Sequence, residues 1–266
     1  MADILYVYAV GRGGQQPPHG AEAVDGSSRI DCFDEGPLCA FFTRVDGEEF
    51  SQEGVDRRAG DLEWLGAIGY RHQATTAALM RGGTIVPLRA FTLFSSDSAL
   101  REWLRGDREQ LLHTLERLEG KQEWTLRIEF DPQRWSAALV GRVDALKSLA
   151  AEMETASAGK AFLLRKKLDE ERKKASREAE RQVVEEIESE VLRRLACESV
   201  AESREHREGA FPQINVLIPR DEESRLQELR EELTERYGRE GVAVALTGPW
   251  PPYTFAALTG TMNDEG

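Results

Sequence analysis

The chain has 266 residues, 40% of them hydrophobic and 31% charged, and its 48 Asp and Glu against 35 Lys and Arg give a formal charge of -13. That length and apolar content support one large or two ordinary domains stabilised without metal or disulfide, and they exclude disorder of the whole chain. The negative charge excludes an extended nucleic-acid footprint, and no apolar run approaches the roughly 20 residues of a membrane span, so a cytoplasmic protein is expected.

Asp3 to Val10 is short and rich in branched and aromatic residues, which predicts a mostly buried opening strand. Gly11 to Gly26 has no periodicity and reads as an exposed loop, its glycines matching no phosphate cradle. Arg29 to Phe33 and Leu38 to Val45 form a hairpin around Asp34-Glu35-Gly36-Pro37. Between Val55 and Met80, Leu62, Leu65, Ile68 (or Gly69), His72, Thr76 and Leu79 recur at steps of three and four. This is one inward helical face, ended by Gly82-Gly83. Thr84 to Phe94 is a short apolar strand that Pro87 must either confine to an edge or end at a bend, and Ser96 or Asp97 caps a leucine-rich helix to Leu118.

Glu123 to Phe130 alternates Trp124, Leu126, Ile128 and Phe130 against polar residues, a strand with one buried face. Gln133 to Leu195 is helical, with a break near Ser157-Ala158-Gly159. Its stretch Arg165 to Gln182 is so charged that it is expected to project into solvent. A second hairpin follows through Gly209, with Ile214, Val216 and Ile218 on one face. Asp221 then caps a helix to Tyr237, and Gly241 to Leu246 is the last strand.

These elements predict an α+β protein of two domains: an N-terminal mixed α+β unit over 1–120, and a ferredoxin-like domain over 121–257 with an enlarged, partly projecting long helix. Residues 258–266 read as a flexible tail.

The string Leu246-Thr247-Gly248-Pro249-Trp250-Pro251-Pro252-Tyr253-Thr254-Phe255 closely resembles the C-terminal signature of the gas vesicle protein F/L family. Thr84 to Arg89, Tyr6 and Tyr8, His72, Gly120 to Trp124 and Gly159 to Leu164 are similar to the family's other segments, so the resemblance spans Tyr6 to Phe255. It departs at Ala90-Phe91-Thr92, where the family usually carries Phe-Gly-Thr. The resemblance implies a non-catalytic accessory or minor vesicle component without cofactors. Its partners would be the small hydrophobic shell protein and other accessory proteins, and it would act early in assembly. The residues singled out for partner binding are Pro87, Arg89, Trp250, Pro251, Pro252, Tyr253 and Phe255.

Each motif also has a plainer reading. Gly248 to Tyr253 can serve as a proline-stiffened structural tail, or as aromatic contact residues on pre-organised backbone. His72 lies on an inward helical stripe without a second ligand at metal spacing, which favours a hydrogen-bonded core histidine, and surface pairing accounts for His113. Neither Ser27-Ser28 nor Ser95-Ser96 sits in a nucleophile elbow, and Cys32, Cys39 and Cys197 have no zinc spacing. Rival readings are a ferredoxin-like regulatory module binding a small molecule, and an enzyme on the same scaffold.

Overall fold

A computed structural model describes residues 4–202 and 211–256, so the turn expected at Gly209 and the tail expected over 258–266 lie outside the described residues. The chain forms two compact units. One takes the sequence up to Gln122 together with the segment from Trp250, and the other is Glu123–Pro249. The C-terminal signature is divided between them: residues 246–249 end the second unit, and residues 250–255 belong to the first.

The first unit is built on β1 (Ile4–Arg12), β2 (Asp31–Glu35), β3 (Leu38–Val45), β4 (Ile85–Pro87) and β5 (Leu93–Phe94). Its sheet runs β2-β3-β1-β4, with β5 also on β1. Strand β1 is buried along nearly its whole length, because both faces of this central strand are covered. It pairs antiparallel with β3 from Ile4↔Val45 to Arg12↔Leu38, and a bulge between Val7 and Ala9 leaves Tyr8 without an opposite residue. Tyr6 and Tyr8 join Phe41, Phe50, Ile68 and Leu79 in one core, on the side of α3 (Leu62–Gly82). Leu5 and Val7, alternating with them, point to the face where α4 (Asp97–Gly106) and α5 (Arg108–Leu118) pack.

Several local expectations are corrected. The helix expected from Val55 is two, α2 (Gln52–Arg58) and α3, separated where Asp61 turns back to cap the Trp64 amide at 3.0 Å; a short α1 (Gly47–Phe50) precedes them. Leu62, placed inward by periodicity, is 80% exposed, since it is the first residue after that cap. The expectation for Pro87 holds, by contrast: it ends β4 at the end of the sheet order, and the chain bends before rejoining β1 as β5. The loop after β1 is not wholly exposed. Ala23 and Val24 are fully buried, and the Val24 amide donates to the Tyr8 hydroxyl at 3.0 Å.

Two glycines in the middle of α3, Gly66 and Gly69, are exposed, and a Cβ built on either meets nothing within 4 Å. Each weakens the helix by about 1 kcal/mol relative to alanine, and no neighbour within the fold requires either.

The second unit contains β6 (Lys121–Phe130), α6 (Pro132–Arg142), α7 (Asp144–Glu154), α8 (Ala158–Arg194), β7 (Glu198–Glu202), β8 (Gln213–Pro219), α9 (Glu223–Gly238) and β9 (Val242–Trp250). The sheet order is β7-β8-β6-β9, with β7 and β8 antiparallel. Trp124, Leu126 and Ile128 of β6 join Ile214, Val216 and Ile218 of β8 in one core. The stripes of α8 and α9, including Val183, Ile187, Leu229 and Leu233, close over it. The cap expected at Asp221 does not form: a 3-10 turn, Arg220–Glu222, precedes α9, whose N-cap is Glu222.

The long helix α8 has 37 residues, about 55 Å at 1.5 Å rise. Its charged stretch does not simply project. Leu168 and Ala179 are buried in the core with Leu146 and Trp135, because α6 and α7 run back along the helix and cover its sparse apolar positions. Trp135 Nε1 fixes this packing by donating to Ser176 Oγ (3.2 Å) and Glu180 (3.1 Å). Leu168→Ala is accordingly expected to cost about 2 kcal/mol in urea denaturation. A solvent-projecting helix would lose under about 0.5 kcal/mol, and that result would contradict the packing.

Candidate partner-binding site

Of the residues singled out from the sequence, Tyr253 reaches His72, beside the Leu88 carbonyl that lies between Pro87 and Arg89. The His72 ring is 4% exposed, and its Nδ1 lies 2.9 Å from the Tyr6 hydroxyl while its Nε2 lies 3.1 Å from the Leu88 carbonyl and 3.0 Å from the Tyr253 hydroxyl. A carbonyl only accepts, so Nε2 carries the proton and Nδ1 accepts from Tyr6. Burial holds His72 neutral and pushes its pKa down to about 4, against a smaller upward pull from the Leu88 carbonyl. Burial likewise raises Tyr6, Tyr8 and Tyr253 above the ordinary phenol range. Tyr8 stacks on the imidazole with centroids 5.8 Å apart, and Tyr253 covers it from the tail at 6.3 Å. Four rings thus enclose one uncharged hydrogen-bond chain.

The chain continues into the turn after β4. Thr92 donates from both its amide and its hydroxyl to the Arg89 carbonyl (3.2 and 2.7 Å), and the Phe91 amide donates to the Tyr6 hydroxyl at 3.2 Å. Phe91 itself sits at φ +64, a conformation that suits glycine. Here lies the departure from the Phe-Gly-Thr pattern. The phenylalanine ring offsets the backbone strain by packing on Tyr6 and Trp64 at 6.1 and 5.9 Å.

The C-terminal segment closes the site. Pro251, Pro252 and Phe255 are buried, and Arg117 of α5 donates to the Phe255 carbonyl at 3.2 Å. Tyr253 reaches α3 and Phe255 reaches α5, so the segment bridges two helices of the first unit. Of the seven residues, Pro87, Pro251, Pro252 and Phe255 are buried and Tyr253 is half-buried; Arg89 is exposed and Trp250 is 39% exposed. Sequence reasoning left His72, Tyr6 and Phe91 out of this set. The Tyr-x-Tyr spacing and the inward His72 were visible, but nothing local linked them to a tail 181 residues away.

Two shallow concavities bear on the rival readings. A groove of about 600 Å³ along α8 and α9 is lined by Glu185, Glu186, Glu190, Arg193 and Arg236, and its charges are matched: Glu190 pairs with Arg193 at 2.7 Å. The other, about 510 Å³, lies beside α3 between His19, Thr75 and Arg81. Cys32, Cys39 and Cys197 are free thiols, and burial pushes Cys39 and Cys197 up, the latter to about 11. Among the described residues no helix is long and apolar enough to cross a membrane, and no three His, Cys, Asp or Glu are placed to hold a metal ion.

Fold and site define a mixed α+β protein whose C-terminal aromatic segment locks onto a buried His–Tyr cluster. Gas vesicle protein L of a Streptomyces species is 28% identical over 263 residues, covering 96% of this chain and 93% of that protein. Gas vesicle protein L2 of Halobacterium salinarum is 35% identical over 183 residues, covering 65% of this chain and 64%, under two thirds, of that protein. The crystal structure of gas vesicle protein GvpF from an Anabaena species shares the fold, with a TM-score of 0.68 at 15% identity, over 99% of this chain and 100% of that one. The chain belongs to the gas vesicle synthesis protein GvpL/GvpF family, whose sequence model matches residues 4–257.

Proposed function

We propose that this protein is a non-catalytic accessory component that binds the hydrophobic gas vesicle shell protein, together with other accessory proteins, and supports vesicle assembly. Membership of the family along residues 4–257 is the observation that carries the reading, and the relatives are named as gas vesicle proteins rather than enzymes. A shell subunit exposes apolar surface before it polymerises, and an acidic cytoplasmic protein of charge -13 remains dispersed while covering it. In this reading the strand order β7-β8-β6-β9 belongs to a ferredoxin-like domain.

The site has a division of labour. Pro87, Pro251, Pro252, Tyr253 and Phe255 hold the segment in place, while exposed Arg89 and Trp250 offer contact on a backbone already fixed by its prolines. Trp250→Ala is expected to change folding stability by under about 1 kcal/mol while weakening capture of co-expressed shell protein about tenfold. Thermal unfolding and pull-down read the two effects separately. Unchanged capture by a folded variant would remove Trp250 from the contact. No association of the wild-type chain, with normal vesicles after deletion of its gene, would remove the function itself.

A further inference from the structure

Among the described residues, the four most exposed large apolar side chains fall in two pairs outside the site. On α3, Leu62 and Tyr70 are 80% and 76% exposed, and helical spacing puts Gly66, Gly69 and Ala77 on the same face between and beside them. The result is a shallow trough with a large side chain at each end and no side chain at its floor. The two floor glycines weaken α3 without any neighbour that needs them. Such a face lets another helix approach at backbone distance. At the other pair, α7 and α8 form a helical hairpin across the turn at Thr155–Ser157, and Phe162 and Leu163 stand 68% and 66% exposed in the first turns of α8. Together they make an apolar knob on a helix end.

Charge distinguishes the two. The knob is bordered by Lys160, Arg165, Lys166 and Lys167, with no carboxylate between residues 155 and 168; Glu152 of α7 pairs with Lys160 at 2.9 Å and also attracts Lys167, which leaves the four cations in excess. Along the chain the trough begins beside Asp61 and Glu63, and the preceding α1 and α2 carry Glu48, Glu49, Glu53 and Asp56 against Arg57 and Arg58 only. Knob on knob is repelled, as is trough on trough, whereas knob on trough is attracted.

We propose that the protein self-associates head to tail, with the Phe162–Leu163 knob of one copy seated in the Leu62–Tyr70 trough of α3 in the next. Joined head to tail, each copy leaves one knob and one trough for further copies, so the contact extends into a ring or an open chain. This surface is separate from the Trp250 segment and stands whether or not that segment binds the shell protein.

Sedimentation velocity of the full-length chain, over a concentration series at low and high salt, tests it. The wild type should associate beyond the dimer, and salt should weaken association about tenfold. A knob variant (Phe162→Ser with Leu163→Ser) and a trough variant (Leu62→Ser with Tyr70→Ser) should each be monomeric. Mixed one to one, they should form dimers and nothing larger, since each supplies one intact face. Gly66→Ala with Gly69→Ala supplies a control on folding: it should raise the melting temperature yet weaken association. A wild type that stays monomeric throughout overturns the proposal, as does a mixture that stays monomeric. So does a knob variant that still self-associates but no longer binds vesicles of anionic phospholipid, because the knob then serves a lipid surface.

Discussion

Replacing His72 by leucine is expected to cost about 4 kcal/mol of folding stability, because it strands two buried polar groups and a half-buried one at once. The Tyr6 hydroxyl loses its acceptor, and the Leu88 carbonyl and the Tyr253 hydroxyl lose the shared Nε2 proton. The native histidine should leave a separate mark on the pH dependence. Its pKa is about 4 in the folded protein against 6.5 for the exposed side chain, so the unfolded chain binds the proton more readily. Stability from this group is complete above pH 6.5 and is lost as pH falls from 6.5 to 4, about 3 kcal/mol over the whole window. Between pH 7 and 5 the loss is about 2 kcal/mol. Glu35, Glu190 and Glu232, held below the carboxylate range by their arginine partners, act only at lower pH, which leaves the upper half of the window to His72. Urea denaturation of wild type and His72→Gln at pH 7 and 5 measures it. The variant's curve should be flatter by about 2 kcal/mol, and parallel curves would mean that the imidazole is not buried as described.

The same site marks the limit of what the sequence makes legible. Strands with clean alternation or short buried runs, such as β6 and β1, follow from their own residues, as do the leucine stripes of α4, α5 and α9. The tail's composition marks it as rigid, and its resemblance carries the family. Its docking place is another matter: a proline-rich aromatic segment packs wherever a matching pocket exists, and here the pocket is assembled from β1, α3 and the turn after β4. Leu62 and Leu168 mislead in opposite senses for one reason. Periodicity reports which residues share a face, while burial depends on what the rest of the chain brings to that face. Among the described residues little covers Leu62, which is 80% exposed, whereas α7 covers the face carrying Leu168 despite its dense charge.

Gly248→Ala should be among the most damaging single-atom additions to this chain, at about 4 kcal/mol. The residue lies in β9 two positions before Trp250, at φ +139, where an L side chain is strained whatever space surrounds it. Space is absent as well. A Cβ there comes within 2.9 Å of Trp124 Cε3 and 3.1 Å of the Glu123 carbonyl oxygen. Trp124 is buried in the core with Leu126 and Leu146, so the ring cannot swing aside without opening a void. Overpacking of about 1–3 kcal/mol therefore adds to the backbone strain. The bland alternative is that the Gly-Pro pair serves flexibility alone, in which case alanine would cost little. Gly66→Ala is the internal comparison, since the same methyl on open helix surface should stabilise by about 1 kcal/mol. Thermal unfolding of the two variants should move in opposite directions. A Gly248→Ala protein melting with the wild type would show that the tail's approach does not depend on the close seat of this glycine against Trp124.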